Sequence, residues 1–142
     1  MEWTDVPILK KEELKNFSGR RRIIYQEGYI EKLLNIAFDT VLVFDDFKAL
    51  FIRKQSELNA LRSLIIRRRQ RKLDIFIVAH GFTEVVPSYL LTFADKFILF
   101  RTLDNPYRVK DRFQNYDLIE QAQKRVNQKA VEIKHYHEII QY

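Results

Sequence analysis

Two carboxylates, Asp45 and Asp46, stand side by side directly behind the apolar run Val41 to Phe44. Paired acids at the tip of a strand can hold a hydrated magnesium ion, which accepts one or two carboxylates and fills its remaining positions with water and phosphate oxygens. The second acid can then orient or deprotonate an attacking water. The same pair can also cap the segment that follows and face solvent. A second apolar run, Leu73 to Val78, ends in Ala79 and His80 beside Gly81. An imidazole there can meet a phosphate or a water, or bond a neighbouring loop. Just ahead of that run lie Arg67, Arg68, Arg69, Arg71 and Lys72. Cations at a helix end suit its dipole, can grip the phosphates of a nucleic acid strand, and can offer one guanidinium to a phosphate bound by a neighbouring subunit.

These groups need elements to position them. Arg21–Tyr25 reads as a strand and Tyr29–Phe38 as a helix, with Ile30, Leu33, Leu34 and Ala37 at helical intervals. Thr40–Asp46 is the next strand. Ser56 can cap a helix running to about Arg71, with Leu58, Leu61 and Ile65 on one face. Leu73–His80 is a near-continuous apolar strand of the doubly covered kind. Pro87 suits the first turn of a short helix over Ser88–Phe93. Asp95–Thr102 is a fourth strand, residues 108–130 are largely helical, and the tail from Glu132 leans toward a final strand. A short helical turn fits Glu12–Asn16. Strand and helix alternate, which argues an α/β fold with a mostly parallel sheet and flanking helices. In such sheets function gathers at the carboxyl ends of strands, where Asp45, Asp46, His80 and Arg101 all fall.

The bulk properties fit one globular domain. The chain has 142 residues, 46% of them apolar and 31% charged, with a formal charge of +6, so polyanions are plausible partners. No apolar run approaches the ~18 residues of a membrane span. The absence of cysteine removes disulfides and thiolate metal sites. Phenylalanines such as Phe76, Phe97 and Phe100 alternate within expected strands and read as core, although aromatic rings can also stack on bases. His135 and His137, with Glu138, have a spacing that can share a metal on a strand face, but no third ligand has a clear register.

Four stretches carry a resemblance: "TVLVFDDF", "RRRQRKLDIFIVAHGFTEV", "YLLTFADKFILFRT" and "RVN". From about Arg20 to Asn127 the chain resembles the C-terminal part of a phage-type P-loop ATPase core. That group includes the zonula-occludens-toxin-like assembly ATPases and the FtsK/HerA-like DNA packaging and translocation ATPases. The resemblance implies an additional-strand P-loop NTPase fold acting on ATP with Mg²⁺. It makes Asp45 the metal-holding acid of a Walker B motif, Asp46 the water-activating acid and His80 the sensor. The arginine five residues before the Asp that opens the sensor strand is Arg69, which the resemblance makes an arginine finger in a homo-oligomeric ring. Arg67, Arg68, Arg71 and Lys72 are then candidates for contact with DNA. The implied location is the host cytoplasm or the virion.

Two features depart from that pattern. Many such enzymes carry Glu where Asp46 stands, and Asp reaches one methylene less far. No G-x-x-x-x-G-K-[ST] occurs among the 142 residues, and the 20 or so residues before the first expected strand are too few for a strand, a P-loop and a crossover helix, which take about 30. Glu2–Val6 resembles the segment that follows the P-loop helix and its strand, which would make Met1 an internal start, the start of a truncated reading frame or an artificial boundary. In the resembled fold the P-loop strand lies between the sensor strand and the one matching Lys96–Arg101. Without it those two should either close on each other or leave a gap. Two other functions compete with the ATPase. One is a non-catalytic nucleic-acid-binding or assembly module on the same fold. The other is a metal-dependent nuclease using Asp45, Asp46 and Asp74 or Asp95, which ranks last because Asp74 and Asp95 open their strands.

Overall fold

The computed structural model describes residues 6–9, 19–24, 28–46, 55–85 and 88–142. The helical turn expected at Glu12–Asn16 and the role given to Pro87 lie outside them. The chain divides into two compact units, one of residues 1–42 and 52–74 and the other of residues 43–51 and 75–142.

In the first unit, α1 (Tyr29–Ile36) packs on α2 (Gln55–Ile66). Ile30, Leu33 and Ala37 are buried, as the helical spacing of the sequence requires. The helix ends at Ala37, whose N–H still bonds Leu33 O but whose backbone is extended at φ −69°, ψ 121°; Asp39 then takes a left-handed φ of 48°. The buried stripe of α2 is Glu57, Ala60, Leu61, Leu64 and Ile65, an i, i+3, i+4, i+7, i+8 set. Glu57 is 1% exposed, and its Oε1 accepts the N–H of Gly28 at 2.6 Å. The carboxylate thus reaches the N-terminus of α1, where the helix dipole favours an anion.

Three expectations for this unit are corrected. Ser56 is already inside α2 rather than its cap. The helix stops at Ile66 instead of Arg71, and residues 67–72 form turns that end on Lys72 at φ 52°. Continuing the helix would set Arg67 against Arg71 and Arg68 against Lys72 at i, i+4, like-charge pairs that disfavour it. Arg21–Tyr25 is not a strand over its described part. Arg22 makes only an isolated parallel bridge with Ile8, through Leu9 N–H to Arg22 O and Arg22 N–H to Pro7 O, both 2.9 Å.

Strands β1 (Thr40–Phe44) and β2 (Leu73–Ile77) pair with each other. Asp39 N–H donates to Arg71 O and Val78 N–H to Phe44 O. Both partners advance together along the chain, so the strands run parallel.

The second unit holds β3 (Lys96–Leu99), α3 (Tyr116–Lys129) and β4 (Glu138–Gln141), with 3-10 turns over Phe82–Glu84, Ser88–Phe93 and Pro106–Arg112. Asn105 caps the last of these by accepting Tyr107 N–H at 2.9 Å. Asn115 caps α3 by accepting Leu118 N–H at 3.1 Å. β3 and β4 are antiparallel, with Phe97 opposite Ile140 and Ile98 opposite Ile139. Phe97, Leu99 and Ile140 join Ile119, Ala122 and Val126 of α3 in the core. Phe113 stands edge-on to both Phe82 and Phe97, with ring centres 5.5 Å apart in each case.

The class is therefore mixed α/β. The strands differ from the single, mostly parallel sheet expected. Among the described residues they form two two-stranded sheets, one parallel and one antiparallel, and β2 and β3 are not paired. Of the three phenylalanines read as core, only Phe97 is buried. Phe76 is 49% exposed and Phe100 55%.

Candidate functional site

β1 delivers its chain end to Asp45 and Asp46, and both are exposed. Asp46 adopts φ 47°, a conformation that Asp tolerates better than most residues. Its N–H donates to Asp45 Oδ1 at 3.0 Å, which fixes one oxygen of Asp45 and leaves the other to the surroundings. Since Val78 N–H bonds Phe44 O at 2.9 Å, the chain leaves β1 beside the end of β2. His80 lies two residues further on and is exposed.

The backbone of His80 is held at both ends. Its N–H donates to Glu84 Oε2 at 3.2 Å, and its carbonyl accepts the Thr102 hydroxyl at 2.8 Å. Next to it, Asp104 clamps the following turn. Its Oδ2 accepts Thr83 N–H at 2.8 Å and Thr83 Oγ1 at 2.9 Å, while Oδ1 accepts Asn105 N–H at 2.9 Å. Gly81 is the residue this approach demands. A Cβ there would lie 2.6 Å from Asp104 Oδ2 and 2.7 Å from Asp104 Cβ. The segment after β3 is fixed in turn by α3. Asn127 accepts Thr102 N–H at 3.2 Å and donates to Thr102 O at 2.9 Å. Buried Gln123 donates to Phe100 O and to Asn127 Oδ1, both at 2.9 Å.

The sequence pointed to Asp45, Asp46 and His80 but missed Thr83, Asp104, Gln123 and Asn127, which brace the turn carrying His80. A signal for the helical pair was present: two amides one turn apart, each next to a buried apolar residue of α3. Asp74 is the second residue of β2 and Asp95 precedes β3, so neither follows a strand's carboxyl end as Asp45 and His80 do.

The basic run lies in the first unit. Arg67, Arg69 and Lys72 are exposed, whereas Arg68 and Arg71 are half-buried. Arg68 Nη1 donates to Ile65 O at 3.0 Å and Arg71 Nη1 to Ala37 O at 2.9 Å. These two guanidinium groups therefore close backbone carbonyls of their own unit.

Among the described residues no group of three or more His, Cys, Asp or Glu side chains could hold a metal ion. The free oxygen of Asp45 and the carboxylate of Asp46 suit only a cation that takes most of its ligands from water and a bound phosphate, the habit of magnesium. His135, His137 and Glu138 do not gather. Glu138 is gripped by Arg125, with Nη2 to Oε2 at 2.7 Å, and the Arg125 guanidinium holds its carboxyl below the usual range. Among the described residues no helix is long and apolar enough to cross a membrane.

No family model, no curated protein and no solved structure matches the chain.

Proposed function

We propose that the chain carries the metal-holding and water-orienting part of an ATPase core used for DNA packaging, DNA translocation or phage assembly. The observation that supports this most is the placement of the paired acids. Asp45 and Asp46 follow the carboxyl end of β1, and β1 pairs in parallel with the strand that leads to His80. A bound magnesium would supply charge neutralisation on the β- and γ-phosphates of ATP. Asp45 offers it one carboxylate oxygen, Asp46 accepts a proton from the attacking water, and the His80 ring bonds a phosphate oxygen or that water. Arg69 reaches a neighbouring subunit's nucleotide in a ring, and Arg67 and Lys72 meet DNA.

Phosphoryl transfer depends almost wholly on positioning and electrostatics. Two acids without a phosphate cradle would repel the nucleotide. Residues 1–142 alone should therefore show no magnesium-dependent ATP turnover. Joined to a glycine-rich G-K-[ST] segment read in frame upstream of Met1, they should turn over ATP. Asp46→Asn should abolish that turnover, and Arg69→Ala should lower it by ~10³-fold or more while nucleotide still binds. If no such upstream segment exists, the ATPase reading falls in favour of a non-catalytic nucleic-acid-binding or assembly module. Turnover by residues 1–142 alone, lost in Asp46→Asn, would overturn it differently, by requiring another phosphate-binding loop.

A further inference from the structure

The β3–β4 ribbon has one face covered by the unit's core and one left open. The hydrogen-bonding phase is fixed by Tyr142 N–H donating to Asp95 O at 3.2 Å. The open face then reads as a ladder of three rungs. Lys96 faces Gln141 and Ile98 faces Ile139. One rung further the same register sets Phe100 opposite His137, and their rings do lie together, 5.5 Å between centres and tilted by 33°. All six residues are exposed, including Ile98 at 46% and Ile139 at 60%.

The charges on this face have one sign. None of the six is an acid, and the one carboxylate of β4, Glu138, belongs to the alternate set and is held by Arg125. Lys96 stands on the ladder itself, and exposed Arg101, Lys134 and His135 flank its Phe–His end in sequence. The aromatic end is also rigid beforehand. Gln123 ties the carbonyl of Phe100, and Asn127 ties both backbone groups of Thr102. A ligand laid on that ring therefore meets a platform with little ordering left to do, which lowers the entropic cost of binding.

We infer that this face is a platform for single-stranded nucleic acid. Phe100 and His137 take a base by stacking, Ile98 and Ile139 support its neighbour, and Lys96 and Lys134 meet the backbone phosphates. Rungs repeat every two residues, about 6.7 Å along a strand, so successive bases of a stretched-out strand can sit on successive rungs. A duplex hides the faces of its bases and gains nothing from the ring. The ladder shares no residue with the paired acids, so this inference stands or falls separately from the ATPase reading.

The test is fluorescence anisotropy with a labelled oligodeoxythymidylate and the corresponding duplex, using residues 1–142 without nucleotide over a range of salt. The single strand should bind more tightly than the duplex. Phe100→Ala should weaken single-strand binding by ~5- to 100-fold, the worth of one stacked base, and leave the salt slope unchanged. Phe100→Trp should restore it. Lys96→Ala should weaken binding less and lower the salt slope by about 0.7, the share of one single-strand phosphate contact. The cations of residues 67–72 cannot mimic this pattern, because they add salt dependence without sensitivity to residue 100. Equal affinity of Phe100→Ala and the parent, both folded by circular dichroism, would overturn the inference. So would absence of oligonucleotide binding together with a self-association that Ile139→Glu abolishes, since the face would then be a protein interface.

Discussion

Replacing Gly81 by alanine adds one methyl group at the tightest approach found at any of the three glycines. The new Cβ would sit 2.6 Å from Asp104 Oδ2, 2.7 Å from Asp104 Cβ and 2.9 Å from Asp104 Cγ. One of these atoms, Cβ, is bonded directly to the Asp104 Cα and no side-chain rotation moves it, so rotating the side chain cannot relieve the clash. Asp104 must move away and release Thr83 N–H and Thr83 Oγ1. Overpacking typically costs 1–3 kcal/mol and a hydrogen bond to a charged group about 1.5–3 kcal/mol. With partial relaxation the sum is about 3 kcal/mol, or roughly 10 °C in midpoint for a chain of this size. Urea unfolding followed by far-ultraviolet circular dichroism measures it, and amide spectra of Thr83 and Asn105 report whether the clamp has opened. Asp104→Gly removes the obstructing atoms and the clamp together. Adding Gly81→Ala to it should therefore cost less than 1 kcal/mol, a strong departure from additivity. If Gly81→Ala alone stays within about 0.5 kcal/mol of the parent, the clamp does not hold this turn and the argument fails.

In the first unit, Glu57→Ala should cost about 1–3 kcal/mol by leaving the half-buried Gly28 N–H without this acceptor, whereas Glu57→Gln keeps an acceptor and should lose less; denaturant midpoints of the two variants decide. Arg125 holds the Glu138 carboxyl below its ordinary value, so that contribution to stability is present above the unfolded-state value and drains away as pH falls through the folded one. Glu138→Gln should flatten this part of the acid limb in melts taken across pH, and an unchanged limb would mean the pair is inert. Burial pushes the Tyr142 hydroxyl up, so its contribution is complete below the unfolded-state value and is lost at higher, strongly alkaline pH. Tyr142→Phe should remove that loss, as read by alkaline melts.

Local pattern revealed most elements because it reflects local causes. The run Val41–Phe44 is β-branched and apolar and forms β1; the helical spacing of Ile119, Ala122 and Val126 forms α3; and even the ambiguous tail forms β4 at Glu138–Gln141. Partnership was not legible. Lys96–Leu99 is short and mostly apolar as a strand is, yet nothing within it says whether its neighbour is β2 or the tail some 40 residues on, because that choice depends on which face α3 covers. The exposure of Phe100 was hidden for the same reason: alternation places it opposite Leu99 but does not tell which side meets the core. The paired acids were visible as adjacent letters. The braces on the His80 turn were not, because Thr83, Asp104 and Asn127 are scattered in sequence and ordinary in type.

Gln123 and Asn127 work on α3 like two teeth of a key. They engage the carbonyl of Phe100 and both backbone groups of Thr102, so the helix can occupy one setting against the segment after β3. Inserting a single residue between them would swing one tooth around the helix axis by about 100° and disengage it. Residues added beyond Lys129 would leave both teeth seated. Length variation in this part of the chain should thus be confined to the 130–137 connection and shut out of the three residues between the amides.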